Sequence, residues 1–211
     1  MSRLIRVPLF PLAGAILFPR AQLPLHIFEP RYREMVRDAV EGGGRIAMIQ
    51  PHRLDDDNRA PLYHVGCIGE LVSLEELADG RFNIVLLGSS RFRLVREEPS
   101  DAPYRCAEVD ISAFDDEEPP PLSLAERAEV EREARRLGDA MGLAIDWNAV
   151  GRLDDEMLVN AIAQVAPFDL GAKQALLEQR TLDARADLLV QLMQFHRAAV
   201  SGGTEMEPTI Q

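Results

Sequence analysis

Lysine is almost absent from this chain of 211 residues, because Lys173 is the only lysine among its 23 basic residues. A phosphate-binding loop ends in a Gly-Lys pair, and the sequence contains no such pair, so ATP hydrolysis by this kind of loop is not expected. A serine–lysine catalytic dyad would have to use Lys173. That residue lies in a predicted helix and is expected to be a solvated surface charge.

Other catalytic and metal-binding patterns are missing as well. There is no Gly-x-Ser-x-Gly motif, and the four histidines, His26, His52, His64 and His196, include no His-Glu-x-x-His pair. Cysteine is scarce: Cys67 and Cys106 lie far apart, unlike zinc-ligand pairs, and their apolar neighbours favour buried free thiols over a disulfide.

Two pairs of nearby polar residues could suggest acid–base chemistry or calcium binding. His26 and Glu29 are close enough in sequence for acid–base work, but a histidine inside an apolar strand is typical of a core residue with its hydrogen bonds satisfied. Asp55 and Asp57 are spaced like the start of a calcium loop, but Arg59 occupies the next ligand position, so a solvated loop is predicted. We therefore predict no catalytic residue, no metal site and no cofactor, and the sequence identifies no ligand-binding residue.

The formal net charge is −12, which makes a nucleic-acid partner unlikely because nucleic-acid binding relies on basic residues that replace counterions. One local basic cluster leaves RNA as an alternative: Arg81, Arg91, Arg93 and Arg96, with Arg91 and Arg93 expected on one strand face. No signal peptide precedes the first strand, and no apolar run approaches the roughly 18 residues of a membrane span. A cytoplasmic protein with no membrane contact is expected.

The first 114 residues contain short apolar runs typical of β-strands. Strands are predicted at residues 7–10, 15–18, 22–28, 45–49, 63–74, 82–87, 92–95 and 107–113. Gly88-Ser89-Ser90 is expected to form a hairpin tip, and Pro24 places its strand at a sheet edge or bulge. Pro30 opens a helix with an apolar stripe that includes Tyr32, and three glycines, 42–44, end it. Six to eight strands with one helix predict a small closed or half-closed β-barrel.

Residues 115–121, four acidic residues followed by three prolines, are expected to form a stiff, solvated linker. The predicted boundaries are 1–114 for a barrel domain, 115–122 for the linker, 123–200 for an α-helical domain and 201–211 for a flexible tail. Ser123 and Glu126 have the spacing of a capping box, so a helix should begin there. Helices are predicted at about 123–141, 154–165, 170–179 and 181–200.

The beginning of the chain resembles the N-terminal domain of Lon proteases. The matching segments are Val7-Pro8-Leu9-Phe10-Pro11-Leu12, Ala15-Ile16-Leu17-Phe18-Pro19 and Leu23-Pro24-Leu25-His26-Ile27-Phe28-Glu29-Pro30-Arg31-Tyr32. Two further segments, 66–71 and 88–94, support the match. The resemblance covers roughly residues 4–195 and is strongest up to about residue 112.

This resemblance implies an α+β fold, a PUA-like β-barrel with one helix followed by an α-helical bundle. It also implies recognition of unfolded or tagged proteins, as in full-length Lon proteases, whose ATPase and serine–lysine protease segments lie after this region. The motifs of both segments are missing here, so a stand-alone, non-catalytic member is expected. Within the motif, Phe28 and Tyr32 are expected to fill the core between barrel and helix.

The sequence thus favours a non-enzymatic module that binds unfolded protein or peptide segments, as an adaptor or quality-control factor. Such segments can add to a strand edge or fill an apolar groove. An RNA-binding or small-molecule-sensing PUA-like domain is the alternative. The oligomeric state, monomer or dimer, stays open.

Overall fold

The computed structural model describes residues 2–53, 60–114 and 116–202. Its strands are β1 (Leu4–Pro11), β2 (Gln22–Ile27), β3 (Arg45–Ile49), β4 (Val65–Glu76), β5 (Phe82–Glu98) and β6 (Cys106–Asp110). Its helices are α1 (Pro30–Glu41), α2 (Leu124–Ala140), α3 (Trp147–Val150), α4 (Asp155–Val165), α5 (Leu170–Glu178) and α6 (Leu182–Gly202). The predicted α+β class is confirmed. Asp55 and Asp57, for which a solvated loop is predicted, lie outside the described residues, as do residues 203–211.

The chain divides into two compact units. The first comprises Met1–Glu117 together with Asp169–Glu178, and the second comprises Glu118–Phe168 together with Gln179–Gln211. The first unit therefore contains all six strands, α1 and α5, whereas the sequence had grouped α5 with the other late helices. That residues 1–114 and 123–200 fold as independent domains stays a prediction.

Five strands of the first unit, β5, β4, β3, β1 and β6, form a closed ring, and β2 is attached to it. The pairing order is β2-β5-β4-β3-β1-β6, and an additional β5–β6 pairing joins β6 back to β5. The β1–β3 pair is parallel and the other pairs are antiparallel. β5 is long enough, at 17 residues, to pair with β4, β2 and β6, and this length closes the ring. β2 pairs with β5 alone among the described strands, so the edge position predicted from Pro24 is confirmed.

Helix α1 buries the predicted apolar stripe against this sheet. Tyr32, Met35, Val36 and Ala39 are buried in one core cluster with Phe10, whose ring centroid lies 4.5 Å from that of Tyr32. Pro30 stands in the first turn, where its missing N–H leaves no hydrogen bond unmade, and Gly42 caps the end. The predicted start and end of this helix are confirmed.

Two local predictions in the first unit are wrong. Residues 15–18 were expected to form a strand, but they have no regular secondary structure, although Leu17 and Phe18 are buried. Gly88-Ser89-Ser90 was expected to be a hairpin tip, but it lies inside the continuous strand β5. Gly88 bonds through its backbone to the preceding loop, with its N–H donating to the carbonyl of Ala21 at 2.9 Å. The glycine marks a close backbone approach, which a sequence pattern does not distinguish from a turn.

Helix α5 is held to the strand ring by polar side chains. Gln174 Nε2 donates to the carbonyl of Val65 at 3.0 Å, and Arg91 of β5 donates to the carbonyl of Leu177 at 2.9 Å. Gln50 Nε2 donates to Gln174 Oε1 at 3.2 Å, and both amides are buried. Because the ring supplies hydrogen-bond partners for the buried face of α5, this helix belongs to the first unit.

Lys173 of α5 is buried, with 8% of its surface exposed, and its ammonium donates to the carbonyl of Gly14 at 3.0 Å. The expectation of a solvated charge is therefore wrong. The predicted helix was correct, but its hydrophobicity pattern did not show which face is covered.

Burial lowers the pKa of Lys173 from its ordinary value of 10.5, because desolvation disfavours the charged ammonium. The unfolded chain then binds the Lys173 proton more tightly than the folded chain does. Burial of the charged ammonium therefore destabilises the folded chain fully below the lowered pKa and no longer does so above 10.5. Between these limits we expect the stability of the native protein, relative to Lys173→Met, to rise with pH. Urea unfolding of both proteins from neutral pH to about pH 10.5 measures the difference. Parallel pH profiles would contradict it.

The second unit is helical, and its first helix begins as predicted. The Ser123 hydroxyl accepts from the backbone N–H of Glu126, and the Glu126 carboxylate accepts from the backbone N–H of Ser123, so the capping box is confirmed. Glu133 of α2 is buried and accepts from Arg136 at 2.7 Å and from Arg197 of α6 at 3.4 Å. This carboxylate links α2 to α6. Among the described helices of the chain, none is both long and apolar enough to span a membrane.

Candidate functional site

A shallow groove of about 380 Å³ lies on the solvent face of β2, β5 and β4. It is lined by Pro24, Leu25, His26, Ser73, Glu75, Asn83, Ile84 and Val85. We call this surface the outer groove. It lies entirely within the first compact unit.

The antiparallel register builds the outer groove from two rows that cross three strands. His26 of β2 is opposite Asn83 of β5, and Asn83 is opposite Glu75 of β4. The next row consists of Pro24, Val85 and Ser73. Because side chains alternate between the two faces of a strand, these residues share the solvent face. The intervening Ile27 and Ile84 lie in the core.

A chain of hydrogen bonds orders the polar row. An Arg81 guanidinium nitrogen lies 3.1 Å from His26 Nε2, and His26 Nδ1 lies 2.8 Å from Asn83 Oδ1. A guanidinium only donates, so Nε2 must accept and Nδ1 must carry the proton of a neutral imidazole. Asn83 Nδ2 then donates to Glu75 Oε2 at 2.8 Å. The arrangement fixes the orientation of both the imidazole and the amide.

Asp79, in the turn between β4 and β5, neutralises the charge of Arg81, which lies at one end of this series of hydrogen bonds. Arg81 Nε donates to Asp79 Oδ2 at 2.6 Å. The pKa of Asp79 is lowered, mainly because the backbone N–H of Arg81 donates to its carboxylate, and also because of the guanidinium. Arg81 therefore enters the groove as a hydrogen-bond donor whose charge is already paired.

Two residues of the Lon-like motif lie on this solvent face, contrary to the sequence expectations. His26 is exposed, so its assignment to the core is wrong. Phe28 is 60% exposed, so the expectation that it fills the core is also wrong, whereas Tyr32 is buried as expected. The Phe28 and His26 rings are roughly parallel, with centroids 6.3 Å apart. Phe28 therefore extends the apolar surface beside the polar row.

The free edge of β2 is rich in acceptors. Gly88 N–H donates to the carbonyl of Ala21, which fixes the odd-numbered residues as those that bond to β5. The backbone groups of Gln22, Pro24 and His26 consequently point to the edge that no other described strand covers. Pro24 has no N–H, so this edge presents three carbonyls and two donors.

The other candidate residues are not brought together. Glu29 is paired with Arg31 at 2.7 Å, while His26 bonds to Asn83, so the two form no acid–base pair. Cys67 and Cys106 are buried and free, as predicted. Within the described parts of the chain, no three histidine, cysteine or acidic side chains are grouped as metal ligands.

The predicted basic cluster is not one surface. Arg91 is buried and paired with Asp116, whereas Arg93 is exposed. Arg81 is paired with Asp79, and Arg96 lies 3.1 Å from Glu108. Arg91 and Arg93 do share a strand face, because both guanidiniums lie over the Phe114 ring, but the burial of Arg91 means that this face offers no continuous basic surface for RNA.

Comparison with known proteins identifies the family. The profile of the ATP-dependent protease La (LON) substrate-binding domain matches residues 6–194. The chain belongs to the Lon substrate-binding domain family. The predicted resemblance, which was expected to cover roughly residues 4–195, is thereby confirmed over nearly the whole chain.

Individual relatives agree with this assignment. Lon protease 2 of Myxococcus xanthus is 26% identical over 97% of this chain, and Lon protease 2 of Sorangium cellulosum is 28% identical over 89%. The chain spans about a quarter of the length of these relatives. A crystal structure of a Lon N-terminal domain protein from Xanthomonas campestris has a TM-score of 0.66 at 21% identity, covering 89% of this chain and 98% of that one. The N-terminal domain of a Mycobacterium avium complex Lon protease has a TM-score of 0.63 at 19% identity.

In this Lon substrate-binding domain, sequence reasoning found the motif but missed the outer groove. Ser73, Asn83 and Val85 lie in strands that were predicted, and Glu75 lies one residue beyond the predicted end of its strand, yet their grouping depends on a register that the sequence did not supply. The available signal was the alternation of Pro24, His26 and Phe28 with Leu23, Leu25 and Ile27. It indicated two faces without showing which one is exposed.

Proposed function

We propose that this Lon substrate-binding domain holds exposed, unfolded segments of other proteins in the outer groove, and that it acts as an adaptor or quality-control factor. The observation that carries the proposal is the open groove across three strands, in which fixed polar groups lie beside exposed apolar ones. Family membership supports a substrate-binding role. The PUA-like description of the ring and a cytoplasmic location belong to the same proposal.

The groove has the chemistry that an extended polypeptide requires. Pro24 and Val85 in the groove, and the exposed Phe28 beside it, offer apolar contact, while the ordered amide of Asn83 and the carboxylate of Glu75 can fix the orientation of a bound chain. Its volume falls within the range of about 300–1,000 Å³ that is usual for ligand sites. A shallow and open site suits a segment that is already unfolded, because such a segment can lie across the strands.

Strand addition at β2 is the less favourable mode of binding. Proline in an edge strand interrupts the row of donors that an added strand would use, and natural sheets protect their edges in this way. Pro24 stands in the middle of the free edge of β2. We therefore place the bound segment across the solvent face, with the edge carbonyls as additional acceptors.

Val85→Asp is the test of this placement. The substitution places a charge between Pro24 and Ser73, at the centre of their row. It should weaken binding of a permanently unfolded probe, reduced and carboxymethylated α-lactalbumin, by about tenfold, which corresponds to about 1.4 kcal/mol. Fluorescence anisotropy of the labelled probe measures the affinity, and circular dichroism checks that the variant is folded.

Val95→Asp is the matched control, since Val95 is another valine of β5, more exposed than the half-buried Val85, and does not line the groove. It should bind the probe like the wild-type chain. If folded Val85→Asp and the wild-type chain bind the probe with equal affinity, the groove is not the binding site. If the wild-type chain does not bind the probe at all, the proposed function is refuted.

A further inference from the structure

We infer that the outer groove selects segments in which lysine or arginine stands beside apolar residues. The inference rests on the proposed function, because it names the substrate class of the same site. It depends on two independent features, the unpaired carboxylate of Glu75 and the excess of acceptors along the edge of β2.

Glu75 is the unneutralised charge of the groove. Its carboxylate is exposed and accepts a hydrogen bond from Asn83 at 2.8 Å, and among the described residues no cation lies within ion-pairing distance of it. The neighbouring Glu76 lies 4.0 Å from Arg37. A bound cation would therefore meet a carboxylate that does not have to give up an existing ion pair.

The hydrogen-bonding groups of the polar row are used unequally. The Nε2 atom of His26 is occupied by Arg81, and both the oxygen and the nitrogen of the Asn83 amide are engaged. Glu75 has a second carboxylate oxygen, to which no residue in the described ranges donates a hydrogen bond. What the row offers to a ligand is thus mainly acceptor capacity, because the free charged oxygen of Glu75 outweighs the one remaining N–H of the Asn83 amide.

The backbone edge has the same bias. Gln22, Pro24 and His26 present three carbonyls, but Pro24 contributes no N–H. Lysine carries three donors and arginine five, and neither accepts, so both complement a surface with surplus acceptors. A formal net charge of −12 further favours a cationic segment over an anionic one during encounter.

The apolar residues of the site and the carboxylate of Glu75 would contact different side chains of one bound segment. Val85, Pro24 and Phe28 contact apolar side chains, while Glu75 at the adjacent row position pairs with the basic residue. Because exposed ion pairs contribute little, the selectivity should be modest, about three- to fivefold at low ionic strength, and should shrink at high salt.

The experiment compares short fluorescein-labelled peptides that have identical apolar residues around one central position, occupied by lysine, citrulline or glutamate. Wild-type chain should bind the lysine peptide about three- to fivefold more tightly than the citrulline peptide and should bind the glutamate peptide most weakly. Glu75→Gln should abolish the preference for lysine, so that it binds the lysine and citrulline peptides with equal affinity.

Glu70→Gln is the matched control. Glu70 is an exposed glutamate of the same strand, and its removal changes the net charge equally, but it does not line the groove. It should preserve the preference. Equal binding of the lysine and citrulline peptides by wild type, or an equal loss of preference in Glu70→Gln and Glu75→Gln, overturns the inference. In either case the proposed function survives if Val85→Asp still weakens binding of the unfolded probe, whereas failure of wild type to bind that probe and all three peptides refutes the function.

Discussion

Replacing Arg91 with methionine is expected to lower the free energy of unfolding by about 3–5 kcal/mol, because it leaves a buried carboxylate without its cation. The Arg91 side chain is 3% exposed and that of Asp116 is 9% exposed, and the guanidinium Nε donates to the carboxylate at 2.8 Å. A second guanidinium nitrogen donates to the carbonyl of Leu177 at 2.9 Å. The substitution therefore removes one ion pair and one bond that holds α5.

Methionine at position 91 would keep only part of the contacts that Arg91 makes. Its guanidinium lies over the ring of Phe114, with the central carbon 4.5 Å from the centroid, and methionine keeps only the apolar part of that contact. The backbone N–H of Arg91 still donates to Asp116 at 2.6 Å after the substitution, which keeps the carboxylate partly satisfied. For this reason we expect a large loss of stability without loss of the fold.

Arg93→Met is the control for this prediction. Arg93 is two residues further along β5, is exposed, and lies farther from the Phe114 ring, at 5.9 Å. Its loss should cost less than about 1 kcal/mol. Urea unfolding of the two variants gives both values, and similar costs for the two substitutions would show that the Arg91–Asp116 pair is not an important contact.

The features that the sequence predicted well are those that depend on nearby residues. Pro30 and Gly42 set the ends of α1, and the capping box of Ser123 and Glu126 set the start of α2, because the bonds involved join residues only a few positions apart. Pro24 indicated an edge strand, since proline lacks the donor that an inner strand needs. Each of these interactions is complete within one short segment.

The features that the sequence missed depend on distant partners. Asp116 was assigned to a solvated linker from its acidic and proline-rich surroundings, but it pairs with Arg91, which is 25 residues away. Lys173 was expected in solvent, yet it meets the carbonyl of Gly14, which is 159 residues away. Composition describes the average environment of a segment, whereas burial of one side chain depends on what packs against it.

The outer groove illustrates the same limit. The period of two along β2 separated Pro24 and His26 from Leu25 and Ile27, so two faces were evident. Phe28 is the largest apolar residue of that stretch, and hydrophobicity favoured placing it inside. The structure has it outside because Ile27 already fills the core position at the end of β2. The rows across β5 and β4 depend in addition on two register shifts, between Ile68 and Gly69 and between Leu71 and Ser73.

Gly88→Ala is expected to cost about 3 kcal/mol or more, because the added methyl group would overlap the backbone carbonyl of Phe18. A backbone carbonyl cannot rotate away as a flexible side chain does, so either β5 or the loop that contains Phe18 must move. Such a movement would strain two short contacts: Gly88 N–H donates to Ala21 at 2.9 Å, and its carbonyl accepts from Arg20 at 2.7 Å. Phe18 itself is fully buried and has little freedom to shift.

Ser89→Ala separates this steric effect from a general sensitivity of the segment. Ser89 is adjacent and exposed, and its hydroxyl makes one long bond, 3.4 Å, to the carbonyl of Ile68. Its replacement should change the free energy of unfolding by less than about 0.5 kcal/mol, as is usual for surface positions. At a hairpin tip, both substitutions would be tolerated to within about 1 kcal/mol. Urea unfolding midpoints therefore distinguish a continuous β5 packed against Phe18 from a turn, and a small cost for Gly88→Ala would contradict the close approach that shapes this side of the strand ring.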